Sequence, residues 1–332
     1  MPPKQRYGKW LAASVSLFLM ACGDNSADQA WSSYHQQLAD ALNLPPPERI
    51  DPRNIGAFPE RQQRLIEVPE TRDGMLNIYA LRECEITSLI AARNNQLGRV
   101  APPSQHWLYE RTLWQRLDAC WNSDVPDSLS EDDKARLAHL TELKTEQLPA
   151  VSWNAIFDSK EWEKSFSRAS SPLPALTQVD LSGQLDATKY LEQMIAQQFS
   201  QSWEQDSSTL EGHLKTLQER PLTAEVLRAL LLAEQRLSEA NQLLKRATGS
   251  ETCLSVDEPA WLTTTLAQHS QQWLTSLNRL IDIHPVSPPE AVNEYQNAWL
   301  SMSNPEAPWQ RFQKEWEAHK QLKASFKHCA SD

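Results

Sequence analysis

The chain has 332 residues, of which 32 are lysine or arginine and 43 are aspartate or glutamate. The resulting net charge of −11 argues against binding to nucleic-acid phosphates. Only eight glycines are present, and they form no phosphate loop or dinucleotide fingerprint, so we predict no cofactor. A chain of this length can bury a sizeable core, as one large domain or two smaller ones.

The start of the chain is typical of a secreted lipoprotein. Residues 1–9 carry three basic side chains and no acid, and residues 10–21 carry no charge. This pattern predicts a signal peptide over residues 1–21, because a membrane-spanning helix needs about 20 apolar residues. The run Leu19-Met20-Ala21-Cys22 resembles a lipobox, so we expect cleavage before Cys22 and acylation of its thiol, palmitate included. Several acyl chains on one cysteine anchor a protein stably.

The residues after Cys22 bear on location. By resemblance to lipoprotein sorting in Gram-negative bacteria, Gly23 favours the outer membrane, facing the periplasm, over the inner membrane, although Asp24 weighs against it. Cleavage removes three basic residues and no acidic ones, so the mature charge is −14. That charge argues against a second, electrostatic attachment to anionic lipid. Residues 22–30 are predicted to be the lipidated cysteine and a short tether.

In chain order, a first helix is predicted over 30–43, followed by a proline-rich extended strap over 44–74 with a short helical piece at 59–66. Apolar spacing then predicts a helix over 75–97, and a turn at 98–103 leads into a second helix over 105–122. Trp107, Trp114 and Trp121 are seven residues apart and should line one face of this second helix. The two helices should form an antiparallel hairpin.

The rest of the chain also has helical spacing, and no sustained strand pattern occurs. The further helices are predicted at 131–147, 151–157, 159–168, 186–204, 208–219, 223–248 and 258–284, at the capping box 287–290, and at 306–328. We therefore predict an all-α fold of antiparallel hairpins in an irregular bundle, with little or no sheet. A connector at 167–186 would separate an N-terminal half, 31–166, from a C-terminal half, 187–332.

Four cysteines follow Cys22, and an even number in an oxidising compartment predicts two disulfides. Of the three possible connectivities, the geometry favours Cys84–Cys120 across the hairpin and Cys253–Cys329 between a loop and the end of the last helix. A metal site is the rival interpretation, but the chain has no CxxC pair and no HxxxH pair, so we predict no metal.

Several motifs resemble one family. The run LRECEITSLIAARNNQLGRVAPPSQHWLYE at 81–110, with its RNNQLG and PPSQ stretches, is similar to the helical hairpin of a Gram-negative lipoprotein family. This is domain of unknown function family 3080, and the lipobox and WNAIFDS at 153–159 fit it. The resemblance implies a lipoprotein fold and covers nearly the whole mature chain. It implies no activity, ligand or catalytic residue.

The densest polar group lies in the hairpin and is the predicted binding patch, formed by Arg82, Glu85, Arg93, Asn94, Asn95, Arg99 and His106. With Arg111, its arginines could offer an anion site in an otherwise acidic protein. His106 and Glu110 are four residues apart and could pair as acid and base. The competing interpretation is a solvated face in which Arg82 pairs with Glu85 while Arg99 and Arg111 face water.

Catalytic signatures are absent from the sequence. No GxSxG, HExxH or SxxK motif with a plausible base occurs, nor does the Glu-Ser pair typical of helical cell-wall lytic enzymes, so we predict no catalytic residues. The favoured hypothesis is a non-enzymatic envelope protein, held to the membrane through Cys22, that binds an envelope protein or a cell-wall component. The alternative is a cell-wall hydrolase with an unrecognised carboxylate site, which would require a deep cleft.

Overall fold

A computed structural model of the protein describes residues 26–70, 74–95, 100–247 and 253–327. In these ranges the chain is α-helical without a β-sheet, which confirms the all-α prediction. No described helix is both long enough and apolar enough to cross a membrane. The α-helices are α1 (Ser26–Ala41), α2 (Arg61–Arg64), α3 (Met75–Ala80), α4 (Thr87–Asn94), α5 (Pro103–Trp121), α6 (Val125–Ser128), α7 (Glu131–Phe157), α8 (Lys160–Ser165), α9 (Ser182–Ala196), α10 (Ser207–Glu219), α11 (Leu222–Ala247), α12 (Ser270–Asp282), α13 (Glu290–Tyr295) and α14 (Pro308–Ala324). Two π-helical segments, Leu262–His269 and Gln296–Leu300, lie directly before α12 and directly after α13.

Helix α11 is the centre of the main core. Eighteen of its 26 residues are buried, because α1, α12 and α14 pack around it. The same apolar cluster contains Trp31 and Trp153 from the first half of the chain and Trp273 and Phe312 from the second. Seven of the twelve tryptophans in the described ranges are buried and serve as large core side chains. The boundary predicted at 167–186 stays a prediction.

The proline-rich strap has no backbone partner strand, and side chains from α7 and α11 bind it instead. Asn154 donates to the carbonyl of Ile66 at 2.7 Å and accepts from its N–H at 2.9 Å. The indole of Trp153 donates to the carbonyl of Arg64 at 2.8 Å. These bonds satisfy backbone groups that an extended segment leaves unpaired. The WNAIFDS motif is thus a clamp for the strap.

The predicted hairpin is present and carries the Cys84–Cys120 disulfide, with 5.2 Å between the two Cα atoms. Cys84 is bonded to Cys120 of α5, and Arg93 lies over the ring of Tyr109 of α5. Residue numbers therefore run in opposite directions along the two arms, which are antiparallel. Around the disulfide lies a second, smaller apolar cluster, separate from the main core. Its buried members are Leu81, Cys84, Ile86, Leu113, Leu117, Cys120, Leu137 and Leu140.

The prediction of one helix over 75–97 is wrong. Helix α3 ends at Ala80, a single 3₁₀ turn follows, and Glu85 adopts a left-handed conformation (φ 56°) before α4 begins. In a straight helix Leu81 and Ile86 would point about 140° apart. The break lets both side chains enter the small cluster around Cys84. Arg116 donates to the carbonyl of Glu85, which the break leaves without a helical partner.

Further boundaries also differ from the predictions. Helix α9 begins at Ser182 and ends at Ala196, earlier at both ends than the helix predicted at 186–204. Helix α1 begins at Ser26, so the last residues of the predicted tether are helical. Helix α7 continues through Pro149, where we predicted a break. An interior proline costs about 3 kcal/mol, and the burial of Leu148, Trp153 and Ile156 in the main core offsets this cost. The capping box expected at 287–290 is also absent, since Pro289 precedes α13 without a side-chain cap.

The second predicted disulfide is only partly within the described residues, because Cys329 lies outside them. The N–H of Leu254 donates to the carbonyl of Lys327 at 2.9 Å, which brings the loop of Cys253 next to the end of the described chain. The pairing of Cys253 with Cys329 stays a prediction.

Replacing Cys84 and Cys120 together by serine should lower the free energy of unfolding by up to about 4 kcal/mol, because the bond closes a long loop. Hydrogen exchange should rise most in residues 82–94, whose apolar side chains belong to the small cluster, and least in α11. Urea unfolding and exchange measurements test this. Peptide mapping that linked Cys84 to another cysteine would contradict the hairpin register.

Candidate functional site

The structure divides the predicted binding patch into two groups. Arg82 and Glu85 lie beside the disulfide, whereas Arg93, Asn94, Asn95 and His106 lie near the turn that joins α4 to α5. The eight residues of α4 separate the groups by about 12 Å. Arg99 lies outside the described residues. The patch is therefore two surfaces, the disulfide end and the turn end of the hairpin.

At the turn end, the guanidinium of Arg93 lies over the ring of Tyr109, 5.9 Å from its centroid. Burial and the nearby charge of Arg93 lower the pKa of His106. Glu110, the expected partner of His106, instead forms an ion pair with the buried Lys144, with 2.9 Å between Oε2 and Nζ. A carboxylate that neutralises a buried ammonium is poorly placed to serve as a catalytic base.

Helix α10 also occupies the turn end. The hydroxyl of Ser104 donates to Glu211 at 2.7 Å. The amide of Gln105 donates to Glu211 at 2.8 Å and to Ser207 at 2.9 Å. These contacts join the start of α5 to the main body of the protein. Ser104 and Gln105, two of the polar side chains at the turn, are therefore used for contacts within the protein.

The disulfide end presents apolar side chains to solvent. Leu76 is 85% exposed and Tyr79 is 59% exposed, and their spacing places them on one face of α3. The guanidinium of Arg82 lies 5.0 Å from the centroid of the Tyr79 ring, and it pairs with Glu83 at 3.5 Å rather than with Glu85. The sequence does not reveal this apolar face, because the apolar spacing over 75–97 predicts one continuous helix in which residues 75–80 have no separate exposed face.

Arg111 is fully buried, so the expectation that it faces water is wrong. Its guanidinium donates to the carbonyls of Gln197, Ser200 and Trp203 at 3.3, 2.9 and 2.9 Å. It also lies over the indole of Trp203, 5.0 Å from the ring centroid. Arg111 therefore fastens α5 to the loop that joins α9 to α10, and it is not part of an anion site.

A buried serine and histidine meet between α7 and the end of α12. The hydroxyl of Ser152 lies 3.1 Å from Nε2 of His284 and donates to the carbonyl of Pro149 at 2.9 Å. The N–H of Val286 donates to Nδ1 of His284 at 3.4 Å. Because Nδ1 accepts, Nε2 carries the proton and donates to the serine. A nucleophilic serine requires the opposite direction of this hydrogen bond, so the pair is structural.

Beside α12 lies an open surface depression of about 460 Å³, lined by Thr275, Asn278, Arg279, Asp282, Ile283 and Met302. Next to it, Nε of Arg279 lies 2.8 Å from Oε2 of Glu192. Burial raises the pKa of Glu192, as a general acid in a glycosidase requires. The ion pair with Arg279 works against that role, because it favours the ionised carboxylate.

A second, interior cavity is too small for a ligand. A cavity of about 10 Å³ beside the first π-helical segment holds at most a single water molecule. Histidine, cysteine, aspartate and glutamate form no cluster of three or more that could hold a metal ion within the described ranges.

A family model described as "Protein of unknown function (DUF3080)" matches residues 31–264, well over half of the chain. The chain belongs to this family. No curated protein and no solved structure matches it. The match confirms the family that the hairpin and WNAIFDS motifs indicated. The part of the chain that matches the DUF3080 model contains the strap, the hairpin and α11, and the description of the family names no activity.

Arg111→Met should lower the free energy of unfolding by about 2–4 kcal/mol, because three buried carbonyls lose a charged donor. Arg82→Met is the matched control and should cost less than about 1 kcal/mol, since Arg82 is exposed. Urea unfolding of both variants tests the assignment. Equal losses would mean that Arg111 does not anchor α5.

The fold should weaken in acid. Burial lowers the pKa of His284 from 6.5 to about 4. Above pH 6.5 this histidine is neutral in both states, and between pH 6.5 and 4 it gains a proton only when the chain unfolds. Its contribution to the free energy of unfolding therefore falls by up to about 3 kcal/mol as the pH drops to 4. His284→Gln should reduce the difference between the free energies of unfolding at pH 7 and pH 4, measured by urea titration. The same difference in the variant and the original protein would contradict this prediction.

Proposed function

We propose that this protein is a lipid-anchored envelope protein of the periplasm that binds another envelope component through the disulfide end of its hairpin. The binding role is non-enzymatic. The partner is an envelope protein or a cell-wall component that offers an apolar surface with acidic groups at its edge. The observation that carries the proposal is the exposed face of Leu76 and Tyr79 with Arg82 beside it.

The membrane anchor is supported by the sequence. A basic start, an uncharged stretch and a lipobox precede Cys22, and α1 begins only four residues later, at Ser26. The Cys84–Cys120 disulfide agrees with an oxidising compartment such as the periplasm. Acyl chains on Cys22 would place the folded domain close to the membrane.

The binding role is supported by where apolar side chains are exposed. Leu76, Tyr79, Val100 and Trp121 are four of the eight large apolar side chains that are exposed among the described residues, and all four belong to the hairpin region. Apolar groups clustered with tyrosine and arginine are typical of protein interfaces. Leu81, the residue that follows α3, is buried in the small cluster around the disulfide, so this surface is attached to a packed region. Such attachment reduces the entropy lost on binding.

A cell-wall hydrolase is the second candidate, and Glu192 is the observation that favours it. Its raised pKa and its position beside the depression on α12 are features of a general acid. The depression is open rather than deep, and Arg279 holds the carboxylate in an ion pair. The hairpin surface therefore has the stronger support.

Replacing Leu76 and Tyr79 together by glutamate should remove photocrosslinks between the full-length protein and its partner in cells, because charge on this face opposes apolar contact. Ile283→Glu is the matched control, since Ile283 is an exposed apolar residue on another surface, after α12. It should leave the crosslinks intact. Crosslink mapping and complementation of a deletion strain provide the two measurements.

Two further variants separate the alternatives. Cys22→Ser should release the protein from the membrane fraction, and normal retention would refute the anchor. Glu192→Gln should complement the deletion fully. If Glu192→Gln fails to complement while the charged hairpin variant succeeds, the protein is a hydrolase and the hairpin is structural.

A further inference from the structure

Two exposed apolar side chains from distant parts of the chain lie near the first turn of α1. Ile50 is 58% exposed and belongs to the strap, and Leu176 is 54% exposed and belongs to the segment before α9. Neither residue belongs to the hairpin or to the face formed by Leu76 and Tyr79.

Contacts on the strap side bring Ile50 to the first turn of α1. The guanidinium of Arg236 donates to the carbonyl of Ile50 at 3.1 Å and to the carboxylate of Asp28 at 3.2 Å. Arg49 also pairs with the Asp28 carboxylate. The backbone of Ile50 is therefore held against the beginning of the helix.

Contacts on the other side bring Leu176 to the same turn. Ala27 and Trp31 of α1 line one small cavity together with Pro174 and Ala175. Leu176 follows directly, and its carbonyl accepts a hydrogen bond from the hydroxyl of Thr265. The position of Leu176 is thus fixed relative to the start of α1.

The distance from Cys22 to this region is short in any conformation. Ser26 lies four positions after Cys22, and a fully extended chain of that length spans at most about 14 Å. Resting on the proposed lipid anchor, we infer that the end of the domain formed by Ile50, Leu176 and the first turn of α1 lies on the phospholipid surface, with both apolar side chains among the headgroups.

The charges in contact at the start of α1 neutralise one another. The protein is acidic overall, and a phospholipid surface with anionic lipid would repel it. At the start of α1, however, Arg49 and Arg236 offset the carboxylates of Asp28 and Glu239. Asp28 and Glu239 are therefore paired, whereas Glu48 and Asp51, close to Ile50 in the chain, are exposed. The attraction to the headgroups thus comes from the apolar side chains and not from charge.

A genetically encoded fluorescent amino acid at Ile50 or Leu176 tests the inference in the lipidated protein. The vesicles contain phosphatidylethanolamine, phosphatidylglycerol and a lipid with a nitroxide quencher on its headgroup. Matched controls carry the same label at Ile283 and Leu76, which are an isoleucine and a leucine exposed elsewhere. Labels at the membrane-facing end should be quenched at least about threefold more than the matched controls, because quenching requires contact with the headgroups.

The possible outcomes separate this inference from the anchor. Equal quenching at all four positions, or stronger quenching at Ile283 or Leu76, overturns the proposed orientation while the anchor stands. Failure of the purified, acylated protein to float with the vesicles overturns the anchor itself and the orientation that rests on it. Circular dichroism of each labelled protein confirms that the fold is kept.

Discussion

The buried guanidinium of Arg236 is the constraint on which the arrangement of the main core depends. Its side chain is 2% exposed, and a charge in that position must be paired and hydrogen-bonded. It finds Glu239 at 2.7 Å on its own helix, Asp28 at 3.2 Å on α1 and the carbonyl of Ile50 at 3.1 Å on the strap. Three segments that are far apart in sequence must therefore meet at one point. Removing any one partner would leave part of a buried charge without compensation, a change that costs several kcal/mol in proteins.

The strap also depends on contacts with segments that are distant in sequence. Because its prolines prevent regular structure, its backbone groups depend on side chains of α7 and α11. Asp158, directly after α7, also accepts a hydrogen bond from Arg61 at 2.8 Å. Close packing adds to these bonds, since a Cβ atom at Gly56 would lie 2.6 Å from the indole of Trp299. The strap and the helices of the main core consequently form one cooperative unit. The disulfide end of the hairpin has its own small apolar cluster, and its stability depends more on Cys84–Cys120.

The sequence predicted the helices well where a buried stripe decides the structure, as in α11, and it predicted the register that places Cys84 opposite Cys120. It failed where distant contacts override local pattern. The spacing of Leu81 and Ile86 reads as one helix, but both side chains enter the same cluster and the backbone must break between them. Pro149 reads as a helix end, but burial of Trp153 and Ile156 carries α7 through it. Arg111 reads as a surface cation, and only the fold reveals the three carbonyls that surround its guanidinium.

The division of the predicted patch changes which residues are expected to meet a partner. At the turn end, Ser104 and Gln105 already bind α10, and Glu110 already neutralises Lys144. A partner there would have to displace internal contacts that hold α5 to the main core. At the disulfide end, Leu76 and Tyr79 face solvent, and the residue after α3, Leu81, is buried in a small cluster that is separate from the main core. Binding at that end costs less reorganisation, and it leaves undisturbed the start of α1, where the proposed membrane contact would be made.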